Sequence, residues 1–111
     1  MPQIRKAQSV DAGTIADFLR SLGLFRWVAT ESVAETRDRV ARHLSLCLAD
    51  ESHSVYLAHA SNGTLAGYCA VHWLPYLNFR GPEGFVSELF IGEQNRGQGI
   101  GTALLEAVKT E

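Results

Sequence analysis

The run Leu65 to Leu74 carries apolar side chains on both faces, with Leu65, Cys69, Val71 and Trp73 on one and Ala66, Ala70 and Leu74 on the other. A strand patterned this way loses apolar burial wherever a side is left open to water, so it belongs inside a sheet with helices over both faces. The rest of the chain supplies such a layered structure. Val55 to Ala60 reads as a strand, and Ser61-Asn62-Gly63-Thr64 is a turn sequence that folds it back on the central run as an antiparallel hairpin. Ile4 to Ala7 suits a short first strand. Ser9-Val10-Asp11 offers side-chain oxygens to cap a helix bearing Ile15, Phe18, Leu19 and Leu22 on one face, and Gly23 ends it. Ser32-Val33-Ala34-Glu35 has the form of a capping box, followed at helical spacing by Val33, Val40, Leu44, Cys47 and Leu48. Beyond a loop bounded by Pro75 and Pro82, Gly84 to Ile91 reads as a further strand. Ile100, Leu104, Ala107 and Val108 then repeat as a helix that starts at a glycine-rich turn. This order, without an internal repeat, predicts one mixed α/β domain over residues 1–111, a mostly antiparallel sheet flanked by helices. At 46% hydrophobic residues, a chain of 111 can build that core without disulfides or metal.

Charge and apolar pattern narrow the partners. Ten basic residues against twelve acidic ones give a net charge of -2, without the broad cationic field that sequence-independent nucleic-acid binding uses. No apolar run approaches the roughly 20 residues that span a bilayer, and Met1 to Lys6 lacks a signal-peptide core. The expectation is a cytoplasmic protein with neither nucleic-acid nor membrane partner. Arg37, Arg39 and Arg42 alternate with Glu35 and Asp38, which reads as a solvated helix face. The two cysteines, Cys47 and Cys69, sit in apolar runs and read as buried free thiols. His43 and Cys47 have helical metal-pair spacing. Cys69 and His72, however, point to opposite faces of a strand, so no metal site is expected.

The turn Arg96-Gly97-Gln98-Gly99-Ile100-Gly101 places free backbone N–H groups at the start of a helix, where the dipole also favours negative charge. Glycines at 97, 99 and 101 let a phosphate approach the backbone, and Arg96 adds a cationic fork. The competing reading is a turn that only lets strand and helix pack closely. Other phosphate motifs fit less well. Gly92 and Gly97 are spaced like the outer glycines of a P-loop, but Gln98 and Gly99 occupy the Lys and Ser/Thr positions. A dinucleotide fingerprint would need glycine or alanine where Thr102 or Leu104 stands.

The stretch Glu88-Leu89-Phe90-Ile91, Asn95, and Arg96 through Leu105 resembles motif A of the GNAT superfamily of N-acetyltransferases, whose core is Arg/Gln-x-x-Gly-x-Gly/Ala. Arg96, Gly99 and Gly101 match that core position by position. The resemblance is specific from about Gly84 onward and consistent in element order before it. It implies the GNAT fold, truncated at its C-terminus, with acetyl-CoA as cosubstrate and no metal. It also implies that the amides of Arg96, Gly97, Gln98, Gly99, Ile100, Gly101 and Thr102 hold the pyrophosphate. The backbone at Phe90 and Ile91 would pair with the pantetheine arm where the sheet splays.

The family reaction is direct attack of an amine on the thioester, which needs a base, an oxyanion donor and an acid for the thiolate. Glu88, read as sharing a strand face with Val86 and Phe90, is the candidate base. Its alternative is a structural acid paired with an arginine such as Arg80. A backbone N–H near Ile91 is the family's usual oxyanion donor, and the thiolate's acid is expected beyond Glu111. Tyr56 and Tyr68 read as sheet packing, while Tyr76 sits in a loop that could border the acceptor. His72 reads as either a second proton carrier or a structural residue, and Trp27 and Trp73 as either cleft or core. The expected function is acetyl transfer from acetyl-CoA to a small-molecule or peptide amine. The alternative is an acetyl-CoA-binding or regulatory module without turnover, or a remnant acting by association. A homodimer would cover sheet edges left open by the missing C-terminal region.

Overall fold

The computed structural model describes residues 2–78 and 80–110 and contains one antiparallel sheet in the order β1-β2-β3-β4. The strands are β1 (Gln3–Lys6), β2 (His53–His59), β3 (Leu65–Leu74) and β4 (Glu83–Ile91). Helices α1 (Ala12–Leu22), α2 (Arg26–Thr30) and α3 (Val33–Leu48) lie between β1 and β2, and α4 (Ile100–Lys109) follows β4. Met1, Phe79 and Glu111, which enter the expectations for the N-terminus, the 75–82 loop and the chain end, lie outside the described residues. No helix among the described residues is long and apolar enough to cross a membrane.

As its two-sided pattern requires, β3 is covered on both faces. On one, Val55, Leu57, Tyr68 and Ala70 meet Ile15 and Phe18 of α1 and Val40 and Leu44 of α3. On the other, Tyr56, Ala58, Cys69 and Val71 meet Ile100 and Leu104 of α4. Leu57 and Leu104 are fully buried in these separate cores, and each contributes about 2 kcal/mol of apolar burial. Cys47 packs against the first core and Cys69 sits in the second, both as free thiols.

Local signals account for the element boundaries. Gly23 adopts a left-handed conformation and ends α1. Ser9–Asp11 forms a 3-10 turn rather than a simple cap, and Asp11 receives the Arg5 guanidinium at 2.7 Å. At α3 the Glu35 N–H donates to Ser32 Oγ (3.1 Å) while the Ser32 N–H donates to Glu35 Oε1 (2.7 Å), completing the capping box.

Two expectations need correction, and one element is added. The buried stripe of α3 is Thr36, Val40 and Leu44, whereas Val33 and Leu48 are exposed, because the helix rests on α1 through its middle turns. Between Ala58 and His59 of β2 the pairing advances two residues on β3, so Ala66 is the extra residue of a bulge. Leu65 therefore packs with the first core and Ala66 with the second, the reverse of simple alternation. In addition, residues 24–31, between the first two predicted helices, contain a further short helix, α2.

Candidate active site

β4 leads through the 3-10 turn Glu93–Asn95 into the glycine turn, and Gly99 is the N-cap of α4. Gly97 and Gly99 have φ of 80° and 78°, a region L side chains rarely adopt, so the path of the turn depends on glycine there. Gly101 has no such backbone demand. A Cβ built at 97, 99 or 101 would meet no other atom within 4 Å, so close packing of strand on helix does not account for these glycines. They leave an open approach to the first-turn N–H groups of α4, which have no intrahelical acceptor. Arg96 is exposed beside them in an extended conformation.

Phe90 and Ile91 end β4, opposite Tyr68 and Gly67. Phe90 packs toward the α1–α3 core and Ile91 toward the α4 core. Among the described residues β4 is the outer strand, with its second edge unpaired.

Glu88 is placed by a second bulge. Ala70 of β3 pairs with Glu88 but Val71 pairs with Val86, leaving Ser87 as the extra residue. Residues directly opposite share a face, so Glu88 lies on the α1–α3 side with Tyr68 and Phe90, whereas Val86 turns to the α4 side with Val71. The expectation that Glu88 and Val86 share a face is thus corrected. The partner of Glu88 is the Tyr68 hydroxyl, which donates to Oε1 at 2.7 Å, rather than Arg80. Burial and the adjacent Glu88 carboxylate push the Tyr68 phenol well above its ordinary value, keeping it a donor. Phe18 (6.0 Å between centroids) and Phe90 (5.8 Å) flank its ring. Read from sequence as packing alone, Tyr68 both packs and holds the candidate base. The signal for that second role is cross-strand proximity, which depends on the register.

Glu88 stands where two cavities meet. One of about 120 Å3 runs along α1 and α3 past His43, Cys47 and Tyr68, and one of about 90 Å3 opens toward Phe25, Trp27 and Val28. Leu19, Arg39 and Glu88 line both. Burial, and secondarily the charge of Glu88, raise the Cys47 thiol above its ordinary value, so it stays protonated. Arg39 is not the solvated face residue its sequence context implies. It makes two 2.8 Å bonds to Glu31, and its guanidinium holds that carboxyl down to about 2. Arg20 completes the scaffold, donating to the carbonyls of Val28 (3.1 Å) and Glu31 (3.0 Å) and to Thr36 Oγ1 (3.0 Å), which joins α1, α2 and α3.

The other aromatic and histidine candidates separate. Trp27 is 58% exposed on α2, beside Phe25 at 5.4 Å. Trp73 donates its indole N–H to Ser54 Oγ (2.8 Å) and lines a different cavity, about 480 Å3, that contains neither Glu88 nor the glycine turn. His72 of β3 stands opposite His53 of β2, their rings 4.3 Å apart. Tyr56 is buried, and Tyr76 is exposed in the loop after β3.

Residues 16–111 match the family model described as the acetyltransferase (GNAT) family. The chain is similar to aminoglycoside N(6')-acetyltransferase type 1 of Stenotrophomonas maltophilia, with 33% identity over 111 positions covering 97% of this chain and 65% of that protein. It thus spans less than two thirds of that curated relative's length. Its fold is similar to ribosomal-protein-alanine N-acetyltransferase from Brucella melitensis biovar Abortus 2308 (TM-score 0.74, 24% identity, covering 99% of this chain and 70% of that one). It is also similar to a predicted acetyltransferase with acetyl-CoA from Clostridium acetobutylicum (TM-score 0.69, 19% identity, covering 99% and 72%). At such identities these two structures speak for the fold alone. The family match runs from α1 through the bulged strand and the glycine turn, and on it the chain belongs to the acetyltransferase (GNAT) family.

Proposed function

We propose that this protein is an N-acetyltransferase that moves an acetyl group from acetyl-CoA to a primary amine by direct attack within a ternary complex. The observation that carries the reading is the open space at Gly97, Gly99 and Gly101, where an added Cβ would meet nothing within 4 Å among the described residues, at the start of α4 whose first-turn amides lack intrahelical acceptors. A pyrophosphate fits that chemistry, accepting from backbone N–H groups of Arg96 through Thr102 with the Arg96 guanidinium beside it. The unpaired edge of β4 at Phe90 and Ile91 would offer backbone groups to an extended amide-bearing arm, as to a further strand.

When bound, acetyl-CoA supplies an acetyl carbonyl activated as a thioester. The chain's own residues prepare the acceptor. Glu88, as a carboxylate, takes a proton from the bound ammonium so that the nitrogen lone pair is free for attack on the carbonyl carbon. The Tyr68 hydroxyl occupies Oε1 and leaves Oε2 for the acceptor, which makes Tyr68 a positioning residue. Backbone N–H groups near Ile91 would stabilise the developing oxyanion; as the amide forms the C–S bond breaks, and CoA leaves as a thiolate that takes up the second proton shed by the nitrogen. The acceptor is a small-molecule amine in this reading, the broad class that also includes the aminoglycosides named for the Stenotrophomonas relative.

The test is calorimetric titration of the chain with acetyl-CoA, ATP and NAD, combined with an assay for thiol release. Acetyl-CoA should bind in preference to the others, and Arg96→Ala should weaken it. Glu88→Gln should leave that binding intact while lowering transfer by about 10²-fold or more. Selective binding with no transfer to any amine would favour a non-catalytic acetyl-CoA-binding module. Absence of binding by a folded chain would sink both.

A further inference from the structure

We propose that the acceptor is an amphipathic monoamine, one primary ammonium group on an aromatic or branched aliphatic body, rather than a polycationic amino sugar; this rests on the acetyl-transfer function proposed above. The surroundings of Glu88 carry it. Toward α2 the lining is Leu19, Phe25, Trp27 and Val28, an apolar and aromatic wall with Glu88 and Arg39 as its charged members. Glu88 is the only carboxylate among the described residues lining either cavity. One ammonium satisfies it.

The other charged group lining this space, Arg39, is paired with Glu31 through two 2.8 Å bonds, so neither offers a free anion to a second ammonium. Further ammonium groups of a polycation would be desolvated against Leu19, Phe25, Trp27 and Val28 without counter-charges, which disfavours a polycation in a way that a site ringed with acids would not. Arg39 cannot readily turn aside, because Glu31 is itself held by Thr36 (3.0 Å) and its main-chain carbonyl by Arg20 (3.0 Å).

The aromatic side chains are arranged as a ledge. Phe25 sits edge-on to Phe90 (5.4 Å, 87°), and Trp27 lies against Phe25 (5.4 Å, 35°) with 58% of its surface open. An aromatic or branched body laid on that ledge gains apolar burial, and its ammonium can reach Glu88 past the ring faces. The two cavities, about 120 and 90 Å3, are each of the order of the ~150 Å3 that accommodates a benzene ring.

The test is titration of the full chain with 2-phenylethylamine and, separately, kanamycin, followed by tryptophan fluorescence, with thiol release from acetyl-CoA measured in parallel. Phenylethylamine should half-saturate the signal at a concentration at least tenfold below kanamycin. Trp27→Ala should remove the signal, and Glu88→Gln should weaken phenylethylamine at least tenfold, both with unchanged circular dichroism. Equal or tighter binding of kanamycin, with its acetylation, would overturn the acceptor assignment and leave acetyl transfer standing. The predicted binding order without thiol release for any amine would leave the acceptor preference standing and overturn acetyl transfer. No response to either amine by a folded chain would overturn the monoamine assignment.

Discussion

Gly101 distinguishes the two uses that a glycine turn can have. Gly97 and Gly99 are bound to glycine by positive φ, whereas a Cβ at Gly101 would stand in open space on an ordinary helical backbone. Alanine in a helix is favoured over glycine by up to about 1 kcal/mol, so Gly101→Ala should leave the urea midpoint unchanged or raise it. The family core accepts alanine as well as glycine at this position, so acetyl-CoA affinity should be unchanged by calorimetry. A loss of about tenfold or more, about 1.4 kcal/mol, would show that the ligand approaches the helix at 101 too closely for a methyl group. Tyr68 and Glu88 illustrate the opposite case at this scale, since neither side chain reveals the other in sequence. They lie 20 positions apart and are joined at 2.7 Å by the pairing of β3 with β4.

Among the elements, α2 is held to α3 through charge. The Arg39 clasp lowers Glu31 from 4.5 to about 2. A carboxyl depressed on folding contributes stability that is present in full above its unfolded value and is lost as pH falls through its folded value. The clasp should therefore be intact above about pH 4.5 and released as pH falls toward 2. Because both side chains are partly exposed, the effect is expected to be local to α2 rather than a global unfolding. Tryptophan emission should shift between those pH values while far-ultraviolet circular dichroism changes little, and Glu31→Gln should show the low-pH emission at neutral pH. An emission unchanged across the range in the parent chain would mean that apolar contacts alone seat α2. The same pair explains why the sequence context of Arg39 misleads. Its neighbours Glu35 and Asp38 imply a solvated face, but its partner lies eight residues back on the far side of a turn. The Ser32 capping box, by contrast, involves atoms three residues apart and was legible at once.

For the molecule as a whole, the asymmetry of the sheet is the governing feature. β3 is covered on both faces and paired on both edges, while β4 is paired on one edge among the described residues and carries exposed Phe85 (57%) and Leu89 (37%). An unpaired edge with exposed apolar side chains is a template for a second strand. The 111-residue chain should therefore self-associate as concentration rises in sedimentation velocity, and Phe85→Lys should shift it toward monomer. A monomer at every concentration would show that this edge is guarded in solution.

The sequence alone determined the layered α/β architecture, the hairpin, the capping box of α3 and the glycine turn. Each rests on side-chain periodicity or on groups a few residues apart, and such interactions are set before distant segments meet. Only the tertiary structure decided which way Glu88 faces, that Tyr68 holds it, and that Arg39 shares its cavity. Two bulges, at Ala66 and Ser87, shift strand register by one residue. A one-residue shift sends side chains to the opposite face, and it is chosen by how separate strands fit against helices on both sides of the sheet.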